Sequence, residues 1–509
     1  MITWNETIKT ALLGTNRAKL AAPPGKAALG QLLNQIPQQD DAAALLAIAG
    51  TVALHQQTGW QPQQTTPPTA NAPLPDQPLC PPHISYQIEQ LLVGSQVALL
   101  TELLTALAQT GHRLPESLLP NLLNKGSRLA RLRPYLLPVL GAKGQWLASQ
   151  NPAWAYALLE LADWPALLEI WQTAVPGQRH TLLRQLRLTQ PERGRQLLEH
   201  TWKSSNDTLR HQLIKILDSN LSQADEPFLE LALDDRNHLV RRAAADLLAR
   251  LPHSRLSQRM PHHAAGILSW TPAQKQAITI RLPQKITPAM QRDGIPNINV
   301  QERAKSGSQL LNQIISRVPL THWLTQWPIS PQQFVQAALN SAWPRTLISA
   351  LSVAAFRQNN ERWAKELILA NQFNTSTGRL VPVLSTSSCF QLMQQAAKQS
   401  TALKRPNPLY IFLQHWQQHW TAPMAEFWLD LFAQHLQQEK DQPSDPTMNN
   451  LFKRFAEKCP PELAETAVAK LTTIPGLNSA WQKNVNQLCH TLQLRHTLLA
   501  EIHRLNVDD

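Results

Sequence analysis

Arginines pose the first chemical question. Arg184 and Arg187, Arg193 and Arg195, Arg210, and the adjacent Arg241 and Arg242 return along consecutive stretches of this 509-residue chain. A guanidinium carries five N–H donors in a planar fork that fits a phosphate or a carboxylate. Gathered on one concave face, Arg184, Arg187, Arg210, Arg241 and Arg242 would hold phosphates or the acidic surface of a partner. The competing expectation is structural. In stacked helical hairpins a turn aspartate often bonds an arginine of the next unit, and Asp207, Asp234 and Asp235 are available for such a ladder. Asp246 and Arg250, four apart in the favourable order, would pair along one helix.

Tryptophan, histidine and cysteine offer other chemistries. Among sixteen tryptophans, Trp146, Trp154, Trp164 and Trp171 form one group and Trp416, Trp420 and Trp428 another. Such rings could stack nucleobases. Trp416 and Trp420 are also one helical turn apart, which suits a packed core. His415 and His419 have the i, i+4 spacing that binds zinc from one helix face, with His435 and Glu426 as further ligands. Trp-Gln-Gln lies between the two histidines, so the glutamate of an HExxH motif is missing. His262 and His263 are adjacent and chelate poorly. Cys489 and His490 stand alone. Cys389, in the run Ser385 to Phe390, has no recognisable base beside it. "LLGTNRAKL" and "GAKGQW" lack the glycine and Lys-Ser/Thr pattern of a phosphate loop, and no GxSxG is present. The expectation is a protein with no catalytic residue, no metal site and no cofactor.

The elements that must place these residues are helices. Hydrophobic residues make up 43% and charged residues 16%, a globular composition in which amides and hydroxyls carry much of the polarity. Net charge is +12, which permits polyanion binding without demanding it, since no lysine/arginine block forms a basic arm. Cys80, Cys389, Cys459 and Cys489 are far apart and suggest free thiols in a reducing compartment. No run reaches the ~18 apolar residues a bilayer requires. The chain is expected to be soluble, cytoplasmic and free of membrane contact.

The stretch Leu231 to Leu256 explains the arginine spacing. Val240, Ala243, Ala244, Leu247, Leu248 and Leu251 recur in steps of three and four, one stripe of a helix from Asn237 to Leu251. Asp234 to Asn237 makes the turn and caps that helix, and Pro252 ends it. Phe228, Leu229, Ala232 and Leu233 give a shorter stripe upstream, on a helix that starts near Pro227. A shift of 31 residues aligns this unit with the one before: Leu198 with Leu229, Trp202 with Leu233, Leu209 with Val240, Arg210 with Arg241, Leu213 with Ala244 and Leu217 with Leu248. Such a hairpin hides its apolar faces only against a stacked neighbour. The fold class expected is all-α, an α-solenoid of HEAT-like helical hairpins with a more degenerate helical array after it. The organisation expected is an N-terminal helical segment (1–60), a Pro/Gln-rich linker or loop (61–82) with eight prolines, HEAT-like repeats (83–279), a long irregular loop (280–307) and a C-terminal helical array (308–509). Lys440 to Thr447 is a further loop.

Five motifs occur in order: "WNETIKTALLGTNR", "VRRAAADLLARLPHSRLSQRM", "RDGI", "LLNQIISRVPLTHW" and a terminal "LRHTLLAEI". Together they resemble a family of bacterial HEAT-like helical proteins with no assigned activity, and the resemblance spans nearly the whole chain. Members are usually encoded beside a MoxR-type AAA ATPase, a von Willebrand factor A (VWA) domain protein and a SWIM zinc-finger protein. The resemblance implies a non-catalytic scaffold in an ATPase-linked system with those three as partners. The alternative is a nucleic-acid binder, or an enzyme similar to HEAT-like DNA glycosylases, acting through a basic concave face. A HEAT-like chromophore lyase has no specific residue in its favour.

Overall fold

The computed structural model describes residues 4–18, 28–37, 39–58, 74, 77–94, 96–159, 162–270, 278–297, 304–370, 375–401, 403, 407–441 and 446–505. They form an all-α protein with one short antiparallel hairpin. Most of the 61–82 stretch and residues 442–445 of the Lys440–Thr447 loop lie outside the described residues. No described helix is long and apolar enough to cross a membrane. The chain divides into two compact units, Met1–Asn71 and Ala72–Asp509.

The first unit has three helices, α1 (Trp4–Leu13), α2 (Ala28–Asn34) and α3 (Asp41–Thr58). Asp40 starts α3 by accepting from the backbone N–H of Ala42 at 2.9 Å. Both α1 and α2 pack on α3. The core is small: Leu33, Ile48 and Val52, with Leu29 and Ile36 against them.

The second unit opens with α4 (Pro82–Val93), α5 (Val97–Gln109), α6 (Leu119–Arg128), α7 (Arg133–Leu136) and α8 (Gly141–Ser149). Asn151 then caps Pro152–Leu158, which winds as 3-10 rather than α-helix. Six helices follow, two to each 31-residue unit: α9 (Trp164–Thr173) and α10 (Pro176–Thr189), α11 (Pro191–Thr201) and α12 (Asp207–Ile214), and α13 (Glu226–Ala232) and α14 (His238–Leu248), with α10 packed on α11 and α13 on α14. Prolines at the first turns of α9, α10, α11 and α13 fit there because those N–H groups have no helical acceptor. Asn206 and Asn237, 31 residues apart, cap α12 and α14 through their side chains. All ten apolar residues matched by the 31-residue shift are buried. α14 ends at Leu248, earlier than the Leu251 expected from Pro252, and a turn carries Leu251 into the core.

The same shift reaches one unit further back than the two units the sequence reading aligned. Leu167, Trp171, Arg179, Leu182 and Leu186 of α9 and α10 precede Leu198, Trp202, Arg210, Leu213 and Leu217 by 31 residues and are equivalent in place. Arg179 lies 5.8 Å from the Trp171 ring, and Arg210 lies 5.8 Å from the Trp202 ring.

Beyond α14 come α15 (Arg255–Ala264), strands β1 (Leu268–Trp270) and β2 (Ile278–Ile280), and α16 (Pro288–Arg292). Leu268 pairs with Ile280 and Trp270 with Ile278. Segment 280–307 is therefore irregular only in part: it carries the end of β2, α16 and the start of the next helix, while residues 298–303 are outside the described set. The remaining helices are α17 (Ala304–Ile315), α18 (Leu320–Gln326), α19 (Pro331–Leu339), α20 (Pro344–Arg357) and α21 (Glu361–Ala370). After a 3-10 stretch at Thr375–Val383 come α22 (Thr386–Gln399), α23 (Pro408–His415), α24 (Ala422–Gln438), α25 (Pro446–Lys458), α26 (Ala464–Thr472) and α27 (Ser479–Arg504). One continuous core runs from Leu159 to Leu492, so no core boundary falls between the two arrays.

The second unit closes on itself. Contacts run from α5 to α7, α10, α12, α14, α15, α17 and α20, through the 3-10 stretch to α23, α25 and α27, and back to α5. Leu498, Leu499 and Ile502 of α27 enter the core built by α4 to α8. Arg495, also on α27, is buried and grips both oxygens of Glu102 on α5 at 2.6 Å. A simple helical array keeps its first and last repeats apart. Here they share a core and a bidentate ion pair.

Candidate functional site

The arginines singled out by spacing fall into two groups. Arg187 is 1% exposed, inside the protein. It holds Asp225, also 1% exposed, at 2.9 and 2.8 Å. Its other donors reach the carbonyls of Ser219, Pro191 and Asn220 at 3.0, 2.9 and 2.8 Å. All five N–H groups are engaged, so Arg187 offers nothing to a ligand. Gly194 leaves the space: a Cβ there would sit 3.2 Å from Arg187 Cδ.

Arg210 and Arg241 are also ties. Arg210 donates to the Ser205 carbonyl at 2.8 Å and to Asp207 at 2.7 Å, and its Nε faces Asp235 at 2.8 Å. Arg241 donates to the carbonyls of Asp235 and Arg236 at 2.7 and 3.0 Å and to that of Gln291 at 3.1 Å. Ser205 and Arg236 are themselves 31 residues apart, so the repeat extends to individual hydrogen bonds. Arg236 holds Asp207 at 2.8 Å, and Arg292 holds Asp234 at 2.6 Å. The turn aspartates thus take arginines from neighbouring elements. The Asp246–Arg250 pair along α14 does not form, because Arg250 turns to Asp218 and Asp246 accepts from arginines much later in the chain.

The "RDGI" motif locks α16 against these helices. Asp293 is buried and accepts from Arg259 at 2.8 Å, with His263 Nε2 at 2.8 Å. Arg259 also reaches Glu230 at 3.1 Å. Burial pushes the Asp293 carboxyl up, but the His263 and Arg259 hydrogen bonds and charges outweigh it and hold it below the ordinary value. Gly294 has φ +77°, and a Cβ there would come within 2.9 Å of Ala245 and 3.0 Å of the Arg241 carbonyl.

Arg184, exposed, and Arg242, half-buried like Arg210 and Arg241, are the two of the five that make no hydrogen bond to a described residue. Arg242 stands on α14 beside Asp246, where two arginines not singled out by spacing arrive. Arg317 Nη2 lies 2.7 Å and Arg357 Nη2 2.6 Å from Asp246 Oδ1. No sequence signal near α14 points to them, since they come from 71 and 111 residues away.

A second feature arises where the unit closes. A cleft of about 310 Å³ separates α5, α25 and α27. Leu99, Phe452 and Leu488 line its apolar part, and the amides of Gln96, Asn449, Asn450, Asn484 and Gln487 line its polar part. None of those five amides bonds another described residue. Lys453 and Glu457 extend the cleft toward Arg131 and Tyr135.

The remaining chemical candidates separate. α23 ends at His415 and the chain is extended at Trp416, so His415 and His419 share no helix face. His435 is buried on α24 against Trp481, and Glu426 is exposed. Among the described residues no group of three or more His, Cys, Asp or Glu is placed to hold a metal ion. Trp416, Trp420 and Trp428 are buried in the core. Cys389 is buried, which pushes its thiol up and disfavours the thiolate.

No curated protein and no solved structure matches the chain. A tied interior and a closed circuit of helices involve residues from Cys80 to Ile502, and one family's sequence profile reaches further still. It matches residues 6–502, and the chain belongs to that family, a family of unknown function (DUF5691).

Proposed function

We propose that this protein is an interaction scaffold, one that holds protein partners in register rather than transforming a substrate. The hairpins are read as HEAT-like repeats of an α-solenoid drawn closed on itself. The 31-residue register of caps, apolar positions and arginine ties supports that reading. The observation that carries the function is the cleft between α5, α25 and α27. It sets five uncommitted amides around the little-exposed edges of Leu99, Phe452 and Leu488. An amide donates and accepts at once, so this lining suits the peptide groups and small apolar side chains of another protein. Rigid flanking helices, pinned by Arg495 on Glu102, hold the lining in place before any partner arrives.

The partners proposed are the MoxR-type AAA ATPase, the VWA-domain protein and the SWIM zinc-finger protein, on the strength of the motif resemblance. The test mixes the purified chain with each purified candidate and follows co-elution on size exclusion. A complex with the ATPase or the VWA protein is expected, weakened by the double substitution Asn450→Ala and Gln487→Ala at unchanged thermal stability. No complex with any of the three would remove the scaffold reading in this form.

A further inference from the structure

We propose that the arginines gathered around Asp246 form a binding site for a single phosphoryl-type dianion, independent of the partner cleft. Asp246 Oδ1 accepts from Arg317 Nε at 3.1 Å and Nη2 at 2.7 Å, and from Arg357 Nη2 at 2.6 Å. Arg317 is fully buried, and the Arg357 side chain is 15% exposed. One carboxylate is therefore shared by two largely desolvated guanidiniums, whose Nη1 groups donate to the Gly294 and Gln313 carbonyls and to Ser316, so these two supply positive field and Arg242 supplies the direct contact. Arg242 and Arg250 flank Asp246 on and just beyond α14, both close enough to Arg357 to depress its proton affinity.

The charges do not balance. Four guanidiniums, of Arg242, Arg250, Arg317 and Arg357, meet two carboxylates, Asp246 and the Asp218 that Arg250 holds. Two positive charges are left over where burial weakens solvent screening. Burial first, then Arg317, Arg242 and Arg250, against the opposing pull of Asp246, take Arg357 down to about 10. Arg242 makes no hydrogen bond to any described residue and is half-exposed, so its fork is open. Phosphoryl groups match this arrangement in charge and in the bidentate geometry of guanidinium. The central carboxylate favours a compact anion at the edge of the cluster over a long polyanion laid across it.

Isothermal titration of the full-length protein with inorganic phosphate and with O-phosphoserine, at fixed ionic strength, tests the site. Saturable binding of at least one is expected, with the tighter of the two telling a free ion from a phosphorylated side chain. Arg242→Gln should weaken binding at least tenfold and leave the melting temperature without phosphate unchanged. Arg184→Gln, on a different helix, should change neither. Asp246→Asn, if folded, should bind more tightly and gain more thermal stability from phosphate than the parent. Absence of saturable binding, or binding indifferent to Arg242→Gln, overturns the proposal. So does binding confined to duplex DNA that Arg184→Gln weakens as much as Arg242→Gln, since that outcome describes a diffuse basic surface.

Discussion

Helices α3 and α14 are both built largely of alanine and leucine, yet they meet water differently. Leu46 and Leu54 of α3 are 74% and 65% exposed, whereas Leu247 and Leu248 of α14 are buried. The difference is where charge stands. α14 interrupts its apolar residues with Arg241, Arg242 and Asp246, spaced so that one face stays apolar and the other binds ions. α3 carries no charged side chain between Asp41 and His55, so its apolar residues surround the axis, and only the face of Ala44, Ile48 and Val52 is buried. In the second unit each face also has a neighbour and a set of ion pairs that fix its orientation. In the first unit three buried hydrophobic residues anchor the small core.

The widest gap between the two units should appear in amide hydrogen exchange on the whole protein. Amides of α14 should open only at a cost near the global stability, on the order of 5–15 kcal/mol, and those of α3 far more cheaply. Equal protection in both helices would erase the comparison. Next in size is Arg187→Ala. It leaves Asp225 charged and unpaired in the interior and should cost roughly 3–5 kcal/mol in urea denaturation. The pair Arg187→Met with Asp225→Leu should recover most of that loss, because no buried charge is left alone.

Gly294→Ala should cost about 2 kcal/mol by the same measurement, from a strained backbone and a clash with α14. A neutral result would mean that the "RDGI" turn does not clamp α16. The smallest effect is acid dependence. Asp293 has a folded pKa below its unfolded value of about 3.9, so its contribution is present above that value and fades as pH falls through the folded pKa. Asp293→Asn should therefore flatten the loss of stability between about pH 5 and about pH 2. An unchanged acid limb would assign that loss to other carboxylates.

Much of this architecture was legible locally. The Asn237 cap, the proline starts and the stripe of Val240, Ala244 and Leu248 depend on residues a few positions apart, and a helix responds to that spacing directly. The third copy of the repeat was legible too, through Trp171 and Arg179, but Val175 stands where Asn206 and Asn237 cap the later copies and breaks the pattern. His415 and His419 misled because their spacing presumes a helix that ends at His415.

From the amino-acid order alone came the helical class, the 31-residue unit and the presence of arginines ready to bind carboxylates. Which arginines would be ties and which would stay open was decided by folding in three dimensions. Arg187 and Arg242 are the same residue type on similar helices, but the first meets Asp225 inside the stack and the second meets other cations. Those cations reach Asp246 from up to 111 residues away, and the Arg495–Glu102 closure spans 393. Helix periodicity is a local property, whereas the balance of buried charge depends on every element that packs around it.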